Sequence, residues 1–90
     1  MKIIAMTAIA AVFVSGCSLR ASTECTSAPE SEWQDQNVFQ QNLLAQGYQI
    51  DKFVVTDGSC YEIYGTNQAG QEVEIYFDPV SGDVVKEEIE

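Results

Sequence analysis

The chain contains no histidine. That removes the commonest general base and the commonest metal ligand. It also has no Cys-x-x-Cys pair. Its three cysteines, Cys17, Cys25 and Cys60, therefore lack both the spacing of a dithiol redox centre and an imidazole to activate a thiolate. No serine or cysteine has a base partner in the pattern, so nothing points to nucleophilic catalysis. The expectation is a protein that is not an enzyme and that carries no cofactor and no resident metal. Positive charge is nearly as scarce, with four Lys and Arg against fourteen Asp and Glu. Beyond residue 16 only Arg20, Lys52 and Lys86 oppose all fourteen acids, a net charge of −11 for residues 17–90. Nucleic acid is excluded as a partner, because phosphate binding relies on a basic surface. An anionic bilayer surface would repel the chain, so membrane contact would come only through an attached lipid. A basic protein partner or a cation is compatible with this charge. The plain reading is a surface that keeps a small exported protein soluble.

Long apolar runs are limited to one, Ile3 to Val14, directly behind the basic start Met1-Lys2. Its twelve residues are too few to span a bilayer as a permanent helix, for which about 20 are needed. They fit the apolar region of a secretory signal peptide. Val14-Ser15-Gly16-Cys17 follows and resembles the lipobox of bacterial lipoproteins. There the Cys after a small residue is lipidated and becomes the new N-terminus. Ser18 after that Cys lacks the inner-membrane retention signal by the same resemblance, which favours outer-membrane anchoring. The alternative is ordinary cleavage near Leu19-Arg20-Ala21, leaving a soluble periplasmic protein. The expected organisation is a signal peptide over 1–16, a tether over 17–30 and one small domain over 31–90.

Lipidation of Cys17 leaves Cys25 and Cys60 as a pair in an oxidising compartment. A disulfide between them closes a loop worth about 3–4 kcal/mol on the chain-entropy model. For a core as thin as this length allows, that is a large share of the net stability.

The pattern then reads as one helix followed by strands. Ser31-Glu32-Trp33-Gln34 could form a capping box, with Asp35 as a second N-cap candidate. Phe39 and Leu43 centre an apolar stripe between Asp35 and Gln46, and Gly47 is suited to end the helix. Tyr48 to Thr56 reads as the first strand and Ser59 to Gly65 as the second. Gln71 to Phe77 is the third and Val84 to about Ile89 a fourth at the edge. A three-residue loop, Asp57 to Ser59, puts Phe53, Val55, Tyr61 and Ile63 on one face and leaves Cys60 on the opposite face or rim. The expected core is Phe39, Leu43, Phe53, Val55, Tyr61, Ile63, Val73, Ile75 and Phe77. The fold class is α+β, one helix packed on an antiparallel meander of three to four strands.

Several of these segments resemble the PepSY domain family. They are Gly47-Tyr48, Tyr61-Glu62-Ile63, Gly70, Val73-Glu74-Ile75-Tyr76, and Asp78-Pro79-Val80-Ser81-Gly82-Asp83-Val84. Cys25 to Trp33 and Cys60 look like those of small, single-domain exported members. The likeness covers roughly residues 25–88. It implies a half-cystatin-like arrangement and a non-catalytic module that binds and restrains peptidases. Without a peptidase domain in this chain, such a role would be exercised in trans.

The candidate binding residues are the aromatics Tyr64, Tyr76 and Trp33. Tyr64 and Tyr76 are expected away from the helix on neighbouring strands, either as a cross-strand aromatic pair or as anchors for a partner. Glu72 and Glu74 share a strand face and could hold a cation, but a solvated sheet face explains them as well. Asp78 and Asp83 flank a turn and are accounted for by turn chemistry. The reading is a binding module that modulates an envelope peptidase or another exported protein. The alternatives are a passive structural lipoprotein and a small-ligand or cation-binding sensor.

Overall fold

In the computed structural model of the 90-residue chain, the described residues are 22–90. The expected signal segment over 1–16, Cys17 and Arg20 lie outside them. The expected α+β architecture is present: one helix, α1 (Gln36–Ala45), lies against a four-stranded antiparallel sheet. Its strands are β1 (Gln49–Val55), β2 (Tyr61–Thr66), β3 (Glu72–Phe77) and β4 (Val84–Ile89), in the order β1-β2-β3-β4.

Helix α1 starts at Asp35, whose Oδ1 accepts from the backbone N–H of Asn37 (2.9 Å) and Val38 (3.0 Å). These bonds satisfy two of the donors that a helix start leaves open. The expected capping box at Ser31–Gln34 does not form. Glu30–Glu32 makes a single 3-10 turn instead. The Gln34 backbone is taken by other partners, its N–H donating to Pro79 O (2.8 Å) and its carbonyl accepting from the Tyr61 hydroxyl (2.6 Å). At the other end Gly47, with φ +103, closes the helix. Its N–H donates to Leu44 O and that of Tyr48 to Leu43 O, the bonding of a Schellman motif.

The core lies between α1 and one face of the sheet. Phe39, Leu43, Tyr61, Ile63, Val73, Ile75 and Phe77 are all buried. Phe39 and Tyr61 meet edge-on at 4.9 Å and Phe39 and Phe77 at 5.1 Å, geometries that suit the ring quadrupoles. Two expected core members differ. Phe53 is half-buried at the margin, and Val55 is 39 % exposed. Val55 lies at the hairpin end, beside a cavity that it shares with Trp33 and Tyr61.

The β1–β2 loop follows the three-residue expectation, with Val55 opposite Tyr61 and Phe53 opposite Ile63. Ser59, at φ 63, takes the left-handed position that such a loop requires. Cys60 follows it and is fully buried. A disulfide joins it to Cys25, and the Cys25 N–H donates to Gly58 O at 3.0 Å. The segment before Cys25 thus runs along the hairpin tip. A Cβ on Gly58 would lie 2.0 Å from the Thr23 carbonyl oxygen, so only glycine admits that backbone.

Replacing both Cys25 and Cys60 with Ala is expected to lower stability by about 3–4 kcal/mol, read as a fall in the urea midpoint with the far-ultraviolet spectrum retained. Gly58→Ala should cost about 1–3 kcal/mol by displacing the 22–25 segment, and hydrogen exchange at the Cys25 amide should rise with it.

Candidate functional site

Among the described residues, the sheet face turned away from α1 carries no helix. Strand register sets its side chains in two rows. Lys52, Tyr64, Glu74 and Glu88 stand opposite one another in sequence across the sheet, and Val54, Glu62, Tyr76 and Lys86 form the next row. Both rows grow from a tripeptide that occurs twice, Glu62-Ile63-Tyr64 and Glu74-Ile75-Tyr76. Ile63 is opposite Ile75 in the antiparallel pair, so each Glu faces the other strand's Tyr.

Tyr64 and Tyr76 therefore share the outer face but stand diagonally, and the expected aromatic pair is replaced by two Glu–Tyr pairs. A lysine flanks each ring. Lys52 Nζ lies 5.6 Å from the Tyr64 ring centroid and Lys86 Nζ 5.7 Å from that of Tyr76, within cation–π range. Tyr64 is 38 % exposed. Tyr76 is half-buried, and its hydroxyl donates to Glu74 Oε2 at 3.0 Å. Trp33 is elsewhere. Its indole N–H donates to Ala28 O at 3.0 Å and its ring meets Tyr61 edge-on at 5.7 Å, against the core. Asp78 serves its turn, with Oδ1 accepting from the Val80 N–H at 2.8 Å. Glu72 is exposed at the start of β3.

Glu62 is the residue that sequence reasoning missed. It is only 5 % exposed, and its Oε2 is buried without a hydrogen-bond donor. An ionised carboxylate is costly there. Its carboxyl group is in hydrogen-bonding contact with that of Glu74. Burial first, and that contact second, hold the Glu62 pKa above the ordinary value. The same contact, aided by the Tyr76 hydroxyl, holds Glu74 below it. The two carboxyl groups thus titrate as a coupled pair in which protonation is favoured at Glu62. Hydrogen bonding to Glu62, then burial, pushes the Tyr64 hydroxyl up to about 12. Tyr76 is also raised, by burial and by Glu74. Beside this group, Ser22, Thr23 and the Thr56–Gly58 turn border a cavity of about 280 Å³ that Glu62, Tyr76 and Lys86 also line. The signal for Glu62 was the repeated Glu-Ile-Tyr, which becomes informative once the register is known.

The family model for the peptidase propeptide and YPEB domain (PepSY) matches residues 4–88. No curated protein and no solved structure matches the chain.

The carboxyl pair sets a pH dependence. Glu62 keeps its proton in the folded chain above 4.5, the ordinary value at which the unfolded chain releases it. Its contribution to stability is complete below that pH and is lost as pH rises through the raised folded value. Glu74 has the opposite sign, contributing above the ordinary value and losing its contribution as pH falls through its lowered one. Thermal midpoints should therefore decline as pH rises above the ordinary carboxyl value of 4.5 and through the raised folded value, and Glu62→Gln should flatten that decline. Equal slopes in the two proteins would contradict the assignment of the proton.

Proposed function

The chain belongs to the peptidase propeptide and YPEB domain family, whose model covers nearly all of it, and from that premise we propose that it is a non-catalytic binding module that restrains an exported peptidase. The outer sheet face supports this reading. It is free of any covering element among the described residues, and it presents Tyr64 at 38 % exposure beside Lys52. Aromatic rings held on a rigid sheet supply contact area at small entropic cost, which is why they recur as interface anchors. Tyr76 and Glu74 lie behind Tyr64 and fix its surroundings through the Tyr76–Glu74 hydrogen bond. Trp33 supports the core and is not part of this face.

Export agrees with the family and with the disulfide. No helix among the described residues is long and apolar enough to cross a membrane. A lipid on Cys17 would hold the module at the outer membrane. The acidic surface favours a partner whose contact face is basic.

The test is capture from envelope extract by the disulfide-intact protein, alongside Tyr64→Ser and the Tyr64→Ser/Tyr76→Ser double variant, each verified by circular dichroism. The expected outcome is a peptidase enriched by the wild type, reduced at least about tenfold by the double variant and inhibited by the purified wild type. Equal capture by the folded double variant would remove the outer face from the proposal. Capture of no stoichiometric protein would favour a passive lipoprotein.

A further inference from the structure

The sheet ends on β4, and among the described residues nothing pairs with the outer edge of that strand. Every residue of β4 is exposed, including the apolar Val84, Val85 and Ile89. Such an edge presents a row of open N–H and C=O groups. The ladder with β3 decides which residues supply that row. The Glu90 N–H donates to Glu72 O at 2.9 Å, and Glu88 and Lys86 stand opposite Glu74 and Tyr76 in the same phase. Backbone groups alternate in direction along an antiparallel strand. Those of Lys86, Glu88 and Glu90 are therefore spent on β3, and those of Glu87 and Ile89 point to the free edge. The pairing with β3 is regular from Lys86 to Ile89, and its shift in register lies towards Val84. Charges on an edge strand commonly keep copies apart. Here they match their own reverse. Lys86 and Glu88 are opposite in charge and flank Glu87 on either side, and the apolar Val85 and Ile89 flank that trio.

We propose that β4 is a self-pairing edge, through which two copies of this chain join antiparallel about Glu87 into a symmetric dimer with one continuous sheet. Only residues whose backbone groups point outward exchange hydrogen bonds across the new junction, which restricts the register to a few choices. Centred on Glu87, Lys86 of each copy faces Glu88 of the other, and Val85 of each faces Ile89 of the other. Opposite charges and apolar side chains set directly across from one another are the stabilising units of a sheet. Lys86 Nζ already lies 3.4 Å from Glu88 Oε2 of its own strand, so the dimer brings four groups of alternating charge together. Centring on Lys86 would set two lysines together. Centring on Glu88 would set Ile89 against Glu87 and pair a shorter stretch. The favoured register carries one cost: the two Glu87 side chains meet at the axis, and like charges there are destabilising. The contact is isologous, with its two-fold axis perpendicular to the sheet. Both Tyr64 faces lie on one side and both α1 helices on the other. A junction of one strand per copy is small, so the association is weak and depends on concentration.

Sedimentation velocity of the purified full chain over a range of concentrations, at physiological salt, tests this. The expected result is a monomer–dimer equilibrium. Glu87→Pro removes an outward N–H without touching a bond to β3, a change that edge strands tolerate. It should abolish the dimer and leave the circular dichroism spectrum in place. Glu87→Gln removes the like-charge contact at the axis and should tighten the dimer by about threefold or more. Asp51→Asn makes the same change of charge on β1, at the other edge of the sheet, and should leave the dimer unchanged. Lys86→Glu should weaken association by about tenfold, and Lys86→Glu/Glu88→Lys should restore it by re-forming both pairs with their signs exchanged. The proposal is overturned by a chain that stays monomeric at every concentration, or by a dimer of unchanged strength in folded Glu87→Pro, which would assign the association to another surface. It is also overturned by equal effects of Glu87→Gln and Asp51→Asn, or by failure of the double exchange to recover what Lys86→Glu loses.

Discussion

Ile63 and Ile75 stand opposite each other at the centre of the sheet, both fully buried, and this register governs both sides of the molecule. On the inner side it aligns Tyr61 with Phe77 and brackets the isoleucine pair with the aromatic rings that receive Phe39. On the outer side the same alignment sets Glu62 against Tyr76 and Tyr64 against Glu74. A slip of one residue by β2 against β3 would turn that strand's side chains to the other face. It would put Glu62 and Tyr64 into the core, which the burial cost forbids. The apolar side thus fixes the geometry of the polar side, and the outer face takes its pattern as a consequence.

The disulfide plays a different part. A domain of this length buries little apolar surface, and among the described residues its sheet is covered by a helix on one face alone. Tying Cys25 to Cys60 brings the segment before the first helical turn to the tip of the β1–β2 hairpin. Gly58 lets the backbones approach, and the Cys25 N–H completes the contact. That segment borders the cavity in which Glu62 lies. The cross-link therefore stabilises the fold and also helps keep water from a carboxyl group whose protonation depends on burial.

The outer face joins features that usually occur apart. Its tyrosines suit a protein partner, and its carboxylates suit a proton. Two lysines lie over the rings, where their charge is spent on local pairing more than on the surface field.

Much of the fold was legible in the sequence. Period-2 alternation in Tyr61–Gly65 and Val73–Phe77 named the inward residues. Gly47 marked the end of the helix, and the Asp57–Ser59 loop gave the hairpin register. These are local signals that rest on backbone sterics and on the burial of one face. The capping box failed because Gln34 is bound by Pro79 and Tyr61, partners far away in the chain. Val55 was assigned to the core by alternation, yet only the path of the helix decides how far coverage extends along a strand. Trp33 read as a surface aromatic because a sequence does not show what a loop packs against. The candidate face divides in the same way: alternation put Tyr64 and Tyr76 on the side away from the helix. That Glu62 is buried, touches Glu74 and lacks a donor came from the pairing of β2 with β3 and from the segment beside it. Burial depends on neighbours brought from elsewhere in the chain, and only the tertiary structure supplies them.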